Sequence, residues 1–274
     1  LAIGAIPMER TKVGRRSAHL AAGLLDDGWN LVMFPEGGRS PDGWGRAFRG
    51  GAAYLAAVDR RFDGGDLRRL RERTRRSHAF MAGVAGAYPF GATGGIVDPA
   101  SVGYALETQA RPYYPGPPPL DLVVHEISHQ WYGNSVSIAE WDEIWLNEGF
   151  ATYMEWLYLE RHGGPTTAAK FDDLYAAHGA GDNAFWNPPP ANPGTPAKLF
   201  AESIYTRGAM ALQVLREELG DVDFFALLGQ WATGNQYGAV TTDDLRALIE
   251  SFNGGVVPAS FEEWIMEPGR PDLP

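Results

Sequence analysis

One short motif constrains the fold of this chain more than any other feature: His125-Glu126-Ile127-Ser128-His129, followed by Glu148. Side chains four residues apart share one face of a helix, so His125 and His129 can reach one metal ion. With Glu148 as third ligand, a tetrahedral zinc keeps its fourth position open, as in catalytic sites. Glu126 lies beside the ligands and can act as a general base. The motif predicts a helix over 121–132, one zinc ion per chain and a hydrolytic reaction.

The same residues have a second interpretation as part of an ordinary buried helix. Apolar side chains surround the motif, among them Val123, Val124 and Trp131. However, two histidines and a glutamate buried without a partner would be costly, so we favour the metal site. The chain contains no cysteine, which excludes thiolate ligands and disulfide bonds.

The charge of the chain is distributed unevenly. The net charge of the 274 residues is −11, but residues 1–76 carry +6 and residues 77–274 carry −17. Eight arginines lie between Arg60 and Arg76. They are typical of a solvated helix face, and the acidic remainder argues against nucleic acid as a partner. The charge step and the pair Gly64-Gly65 predict a flexible junction at residues 59–66.

No part of the sequence predicts a membrane-spanning segment. Apolar runs stay well below the ~20 residues that a spanning helix needs. The first residues lack the basic lead and cleavage pattern of a signal peptide, which favours a cytoplasmic location. A chain that starts with Leu1 can be a piece of a longer protein, and the sequence determines neither compartment nor oligomeric state.

Apolar periodicity and breaker residues predict further elements along the chain. A proline-rich loop is expected at 185–196. Ser260 and Glu263 have the spacing of a capping box. Helices are expected at 68–84, 148–161, 203–219, 242–252 and 261–266.

Several other motifs occur in order around the metal motif. They are Tyr88-Pro89-Phe90, Ala105-Leu106-Glu107-Thr108-Gln109, the stretch 141–150 and Tyr205-Thr206-Arg207-Gly208. Through them, residues 75–274 resemble the gluzincin family of zinc aminopeptidases, the family of aminopeptidase N. The resemblance implies an α+β, mostly helical, thermolysin-like catalytic domain at residues 67–274, with a short helical C-terminal part. It also implies removal of N-terminal residues from peptide substrates.

The resemblance assigns roles to two residues outside the metal motif. Tyr205 stands where the family has the tyrosine that donates to the oxyanion of the tetrahedral intermediate. Glu107 stands at the glutamate of the family motif Gly-Ala-Met-Glu-Asn, which binds the substrate amine, although its first and last residues differ here. On the sequence alone, Tyr205 also fits a core aromatic and Glu107 a surface carboxylate.

The N-terminal part of the chain departs from this family. We expect the catalytic domain to be incomplete at its N-terminal side, because the family's β-sandwich domain and early strands find no counterpart. Residues 1–58 instead resemble a fragment of the glycerolipid (lysophosphatidic acid) acyltransferase family. The resemblance lies in the stretch 4–10 and in Phe34-Pro35-Glu36-Gly37-Gly38-Arg39-Ser40, and it implies a partial α/β segment.

The acyltransferase-like segment leaves two alternative functions open. The catalytic His-x-x-x-x-Asp of that family is absent, since His19 is followed five residues later by Leu24. Without that base, acyl transfer is not expected from this segment as it stands. The alternatives to a metallopeptidase are therefore an acyltransferase fragment completed by upstream sequence, or an inactive, truncated zinc-binding fusion.

Overall fold

The computed structural model describes residues 64–98 and 103–273. Within these ranges the chain is mostly helical, as the sequence predicts. Short 3₁₀ turns occur at Trp141–Glu143 and Pro196–Lys198. The α-helices are α1 (Gly64–Ala85), α2 (Leu120–Ser128), α3 (Trp145–Arg161), α4 (Thr167–Ala177), α5 (Asn183–Trp186), α6 (Glu202–Gly234), α7 (Thr242–Phe252) and α8 (Ala259–Met266).

The acyltransferase-like segment, residues 1–58, lies outside the described residues and stays a prediction. So do the proposed boundaries at 59–66 and 67–274. One detail of the junction differs from expectation, because α1 begins at Gly64 rather than near residue 68. Gly64 and Gly65 therefore belong to the first helical turn. The negative charge of Asp66 in the same turn interacts favourably with the positive end of the helix dipole.

The β-structure of the described residues consists of two small parallel pairs. Strands β1 (Ile96–Val97) and β2 (Tyr113–Tyr114) pair with each other, and both precede the metal motif in the sequence. Strands β3 (Ser137–Ile138) and β4 (Ala239–Val240) also pair with each other, and both follow the motif. The second pair joins the chain just after the motif to the segment that follows α6.

Helix α2 carries the metal motif and ends earlier than predicted, at Ser128 instead of residue 132. His129 nevertheless keeps a right-handed helical backbone, and its amide donates to the carbonyl of His125 at 3.2 Å. The helical spacing of the two histidines is therefore preserved. The chain then turns back at Gly133, whose φ of 140° favours glycine.

Helices α3 and α6 cross with their backbones in close contact. A Cβ added at Gly149 would lie 3.1 Å from the Cα of Gly208, and the reverse also holds. Both glycines belong to motifs that the sequence singles out, next to Glu148 and near Tyr205. Their missing side chains let the two helices approach closely, which brings the face of α3 that carries Glu148 near the start of α6.

Helix α6 contains a break that the sequence predicts and a continuation that it does not. Gly220 has φ 75° and ψ 161°, so regular helix stops there, as expected. A second helical part, 221–234, then follows. Its buried residues Phe224, Leu227, Leu228 and Trp231 have the helical spacing that would have predicted it.

Arg207 ties α6 to the C-terminal segment. Its side chain is fully buried and donates to five backbone carbonyls, among them Trp264 at 2.8 Å and Trp186 at 2.6 Å. Burial lowers the pKa of Arg207 to about 10, which still leaves it charged at neutral pH. The arginine of the Tyr-Thr-Arg-Gly motif is thus a structural anchor for the helix that carries Tyr205.

Two further predictions, a helix cap near the C-terminus and the membrane-span reading of the sequence, can be compared with the structure. The capping box at Ser260 and Glu263 is wrong: α8 begins at Ala259 after Pro258, and no side chain caps it. The N-cap position is Pro258, two residues before Ser260, so Ser260 lies inside the first turn and its hydroxyl donates to Glu218 instead. Among the described residues, no helix is both long and apolar enough to cross a membrane.

Candidate active site

The structure brings His125, His129 and Glu148 together. One oxygen of Glu148, Oε2, lies 3.1 Å from Nε2 of His125 and 3.3 Å from Nε2 of His129. All three side chains are buried, and their potential ligand atoms lie within 4.8 Å of one another. Helix α2 provides both histidines and helix α3 the carboxylate.

These distances fit a small divalent cation. Ligand bonds of about 2.0–2.1 Å at tetrahedral angles would put neighbouring ligand atoms roughly 3.4 Å apart. The observed separations of Glu148 Oε2 from the two histidine nitrogens, 3.1 and 3.3 Å, are close to that edge length. A nitrogen, nitrogen and oxygen donor set with an open fourth side is typical of catalytic zinc.

Both histidines are held in one ring orientation by their second nitrogen. Nδ1 of His125 lies 2.6 Å from Oε1 of Glu155, and Nδ1 of His129 lies 3.1 Å from the carbonyl oxygen of Tyr132. A proton shared with these acceptors sits on Nδ1, so Nε2 is left to face the cluster. Burial disfavours charge on His125, but hydrogen bonds to Glu148 and Glu155 outweigh it and raise its pKa well above the usual value. A bound metal ion would displace the proton that Nε2 shares with Glu148.

Glu155 is a site residue that the sequence analysis missed. It lies seven residues after Glu148, two turns further along α3, so the two carboxylates share one face of the helix. That spacing was visible in the sequence. It says nothing, however, about whether the second carboxylate meets a histidine ring, since this depends on how α3 packs against α2.

Replacing Glu155 by Gln should weaken zinc binding by about 10- to 100-fold. The amide removes the negative charge that makes His125 a stronger ligand, while its size is unchanged. The measurement is a competition titration with a chromophoric zinc chelator. Glu160→Gln on the same helix is the control, since Glu160 pairs with Arg216 instead of a histidine. Equal zinc affinity of Glu155→Gln and wild type would contradict this role.

Glu126 points its carboxylate into a buried environment. Its Oε2 atom accepts no hydrogen bond from any residue that the structure describes. Burial raises the pKa of Glu126 to about 7; the charges of the two histidines oppose this, and those of Glu107 and Glu148 add to it. A carboxylate with a pKa near neutrality is well suited to accept a proton and pass it on.

Tyr205 also lies beside this cluster. The ring of Tyr205 stacks on that of His125, with centroids 6.2 Å apart. Burial and the charges of Glu148, Glu107 and Glu126 raise the pKa of the Tyr205 hydroxyl, which therefore stays protonated and can donate. The negative charge of Glu107 is among those that raise the pKa of both Tyr205 and Glu126.

Comparison with known proteins agrees with this arrangement. Residues 119–264, more than half of the chain, match the peptidase family M1 domain. The chain belongs to peptidase family M1. The matched range contains the metal motif, Glu148, Glu155 and Tyr205.

Individual relatives of this M1 chain are distant in sequence. Aminopeptidase N of Lactococcus lactis subsp. cremoris is 29% identical over 157 residues, which is 55% of this chain and 19% of the relative. Tricorn protease-interacting factor F2 of Thermoplasma acidophilum is 29% identical over 157 residues, 54% of this chain and 20% of the relative. The chain thus spans about a fifth of the length of these relatives.

Solved structures with a similar fold belong to the same family. A single-residue mutant of the M1 zinc metallopeptidase from Deinococcus radiodurans, bound to a Tyr-Ser-Ala substrate, superposes with a TM-score of 0.65 at 30% identity. The similarity covers 73% of this chain and 45% of that one. The helical domain described above is therefore the M1 catalytic fold over the part of the chain that it covers.

Proposed function

We propose that this M1 chain is a zinc metallopeptidase that removes N-terminal residues from peptides. The convergence of two histidine nitrogens and a glutamate oxygen, each from a buried side chain, is the observation that carries the proposal. Its relatives support it, because one is named an aminopeptidase and the Deinococcus enzyme is a zinc metallopeptidase seen with a tripeptide.

His125, His129 and Glu148 would hold the zinc ion. Zinc bound there would polarise the scissile carbonyl and lower the pKa of water from ~16 to ~7. Glu126 would take the proton of the attacking water and deliver it to the leaving amine. The group must be a base first and an acid afterwards, and its Oε2 accepts no hydrogen bond from the described residues that would compete for the proton of the water.

Tyr205 and Glu107 would orient the reacting groups. The protonated hydroxyl of Tyr205 would donate to the oxyanion that develops on the carbonyl oxygen. The carboxylate of Glu107 would bind the free α-ammonium of the substrate and so select peptide N-termini. The substrate is then a peptide with a free amine, and hydrolysis would release its first residue.

The Tyr205→Phe variant should bind zinc normally while kcat falls by about 100- to 1,000-fold, because one oxyanion donor is lost. KM should change little, since the hydroxyl acts on a charge that exists mainly in the transition state. The measurement is steady-state kinetics with an aminoacyl anilide. Tyr175→Phe is the control, because that hydroxyl donates to the carbonyl of Pro271 in the C-terminal segment. A kcat close to that of wild type would rule out the proposed donor.

The proposed function is tested on the purified chain by elemental analysis and by hydrolysis of a panel of aminoacyl anilides. We expect one zinc per chain and release of the chromophore from free-amine substrates. Their N-acetylated counterparts should react far more slowly, since they offer no ammonium to Glu107. Absence of bound zinc, or equal hydrolysis of free and acetylated substrates, would contradict the proposal in its metal or its aminopeptidase part, respectively.

A further inference from the structure

The chain that follows His129 folds against the loop that carries Glu107. Gln130 is fully buried and is the centre of this contact. Its Oε1 accepts from the backbone amide of Ala110 at 2.6 Å, and its Nε2 lies 3.3 Å from the carbonyl oxygens of both Glu107 and Glu126. One amide side chain therefore connects the Glu107 loop to the backbone of the residue proposed as base.

The loop itself is tight and depends on outside support. Leu106 and Tyr113 pair through two backbone hydrogen bonds of 3.0 and 2.8 Å, and the amide of Arg111 donates to the carbonyl of Thr108 at 3.0 Å. At the tip, Ala110 has φ 62°, a left-handed conformation that costs a non-glycine residue free energy. The hydrogen bond to Gln130 holds the Ala110 amide in this conformation.

A second side chain from the same stretch acts on the same carbonyl. Nδ2 of Asn134 donates to the carbonyl oxygen of Glu107 at 2.5 Å. The backbone amide of Asn134 donates in turn to the carbonyl of His129 at 2.8 Å. The Glu107 backbone is thus held by two side chains, both of which are tied to the histidine segment.

We infer that Gln130 and Asn134 are positioning residues, which fix the Glu107 carboxylate relative to the metal ligands and thereby set the selectivity for a free N-terminal amine. The inference rests on the proposed function and deepens it. An ammonium and a carbonyl must be held at once, one by Glu107 and one beside the metal ligands. A shift of roughly 1 Å between Glu107 and the metal ligands can lower the reaction rate by up to about 100-fold.

A positioning role and a merely structural role of Gln130 predict different binding results. A buried glutamine that served only loop packing would, when replaced, lower stability and weaken every ligand alike. A positioning residue should weaken ligands that use the amine site and spare those that use only the metal. The two cases are separated by a pair of probes that differ in the amine alone.

The probes are leucine hydroxamate, which carries a free amine, and 4-methylpentanohydroxamic acid, which lacks it. Both present the same metal-binding group. Their Kd values are measured by calorimetry on the zinc-loaded full chain, for wild type, Gln130→Met and Asn134→Ala. Gln213→Met is the matched control, because Gln213 is also a buried glutamine but bonds to Glu217 and Tyr153.

For wild type we expect the amine to tighten binding by at least about tenfold, as a charge-assisted hydrogen bond would. Gln130→Met and Asn134→Ala should each reduce that advantage several-fold, while the Kd of the desamino probe and the zinc content stay near wild type. Gln213→Met should keep the full advantage. If Gln130→Met does not fold, Asn134→Ala decides alone.

Two results would overturn the inference and leave the metal site standing. One is an unchanged advantage of the amine in the folded variants. The other is equal binding of both probes by wild type, which would mean that Glu107 binds no amine. If wild type bound neither probe, the proposed function would fall and the inference with it.

Discussion

Replacing His129 by Ala should abolish both zinc binding and peptidase activity. His129 is almost fully buried and provides one of three ligand atoms, so its loss leaves an incomplete set around Glu148. The wild-type chain should also gain thermal stability on addition of zinc, by about 4 kcal/mol at a thousandfold excess over Kd. The variant should show no such gain. Elemental analysis and thermal unfolding with and without zinc measure both effects.

His162→Ala is the matched control for this variant. Its Nδ1 contacts a backbone carbonyl, that of Tyr158, at 2.7 Å, much as His129 contacts Tyr132, but the residue is exposed and lies at the far end of α3. It should bind zinc and respond to it as wild type does. Equal zinc content in His129→Ala and wild type would show that the ion is bound elsewhere.

Replacing Glu126 by Gln should leave zinc in place and lower kcat by about 100- to 10,000-fold, the usual contribution of general-base catalysis. Glutamine has nearly the same shape, but its amide cannot accept the proton of the attacking water. The ligands are unchanged, and the variant loses a buried charge whose Oε2 accepts no hydrogen bond from the described residues, so stability should not fall. Kinetics, zinc content and thermal unfolding are measured on one preparation.

The carboxylate-to-amide control for Glu126→Gln is Glu250→Gln, an exposed position on α7. It should retain wild-type kcat and zinc. Turnover of Glu126→Gln within a fewfold of wild type would mean that another group accepts the proton. Lost zinc would instead mean that Glu126 contributes to the metal site itself.

The sequence predicted the metal cluster because its geometry is mostly local. His125 and His129 share a helix face at any place in any fold, so their spacing alone brings two imidazoles together. Helix α7 was also predicted residue for residue, at 242–252. Helix α3 was predicted to end at Arg161, as it does, but it begins at Trp145, three residues before the predicted start. The structure adds a capping box of Thr241 and Asp244 at the start of α7, a signal that the sequence analysis did not use.

Other features were missed for two different reasons, one tertiary and one local. The capping box at Ser260 and Glu263 had the right residues at the right spacing, yet α8 starts at Ala259 and Ser260 bonds to Glu218 on another helix. The contact with Glu218 is therefore a tertiary interaction that the local pattern does not contain. The helical part 221–234 was missed for another reason: Gly220 indicated the end of the helix, although the apolar spacing beyond it is helical.

The sequence by itself determined the chemistry of this protein: two histidines and a glutamate for one ion, a second glutamate beside them, and the motifs that mark family M1. The tertiary structure alone decided how these groups are supported. Glu155 reaches His125 because α3 packs on α2, Glu148 comes near Tyr205 because Gly149 meets Gly208, and Gln130 reaches the Glu107 loop from 20 residues away. Residue types and spacings fix which groups a helix presents. The direction in which two helices or a loop face each other depends on packing across the whole domain, which no short stretch of sequence encodes.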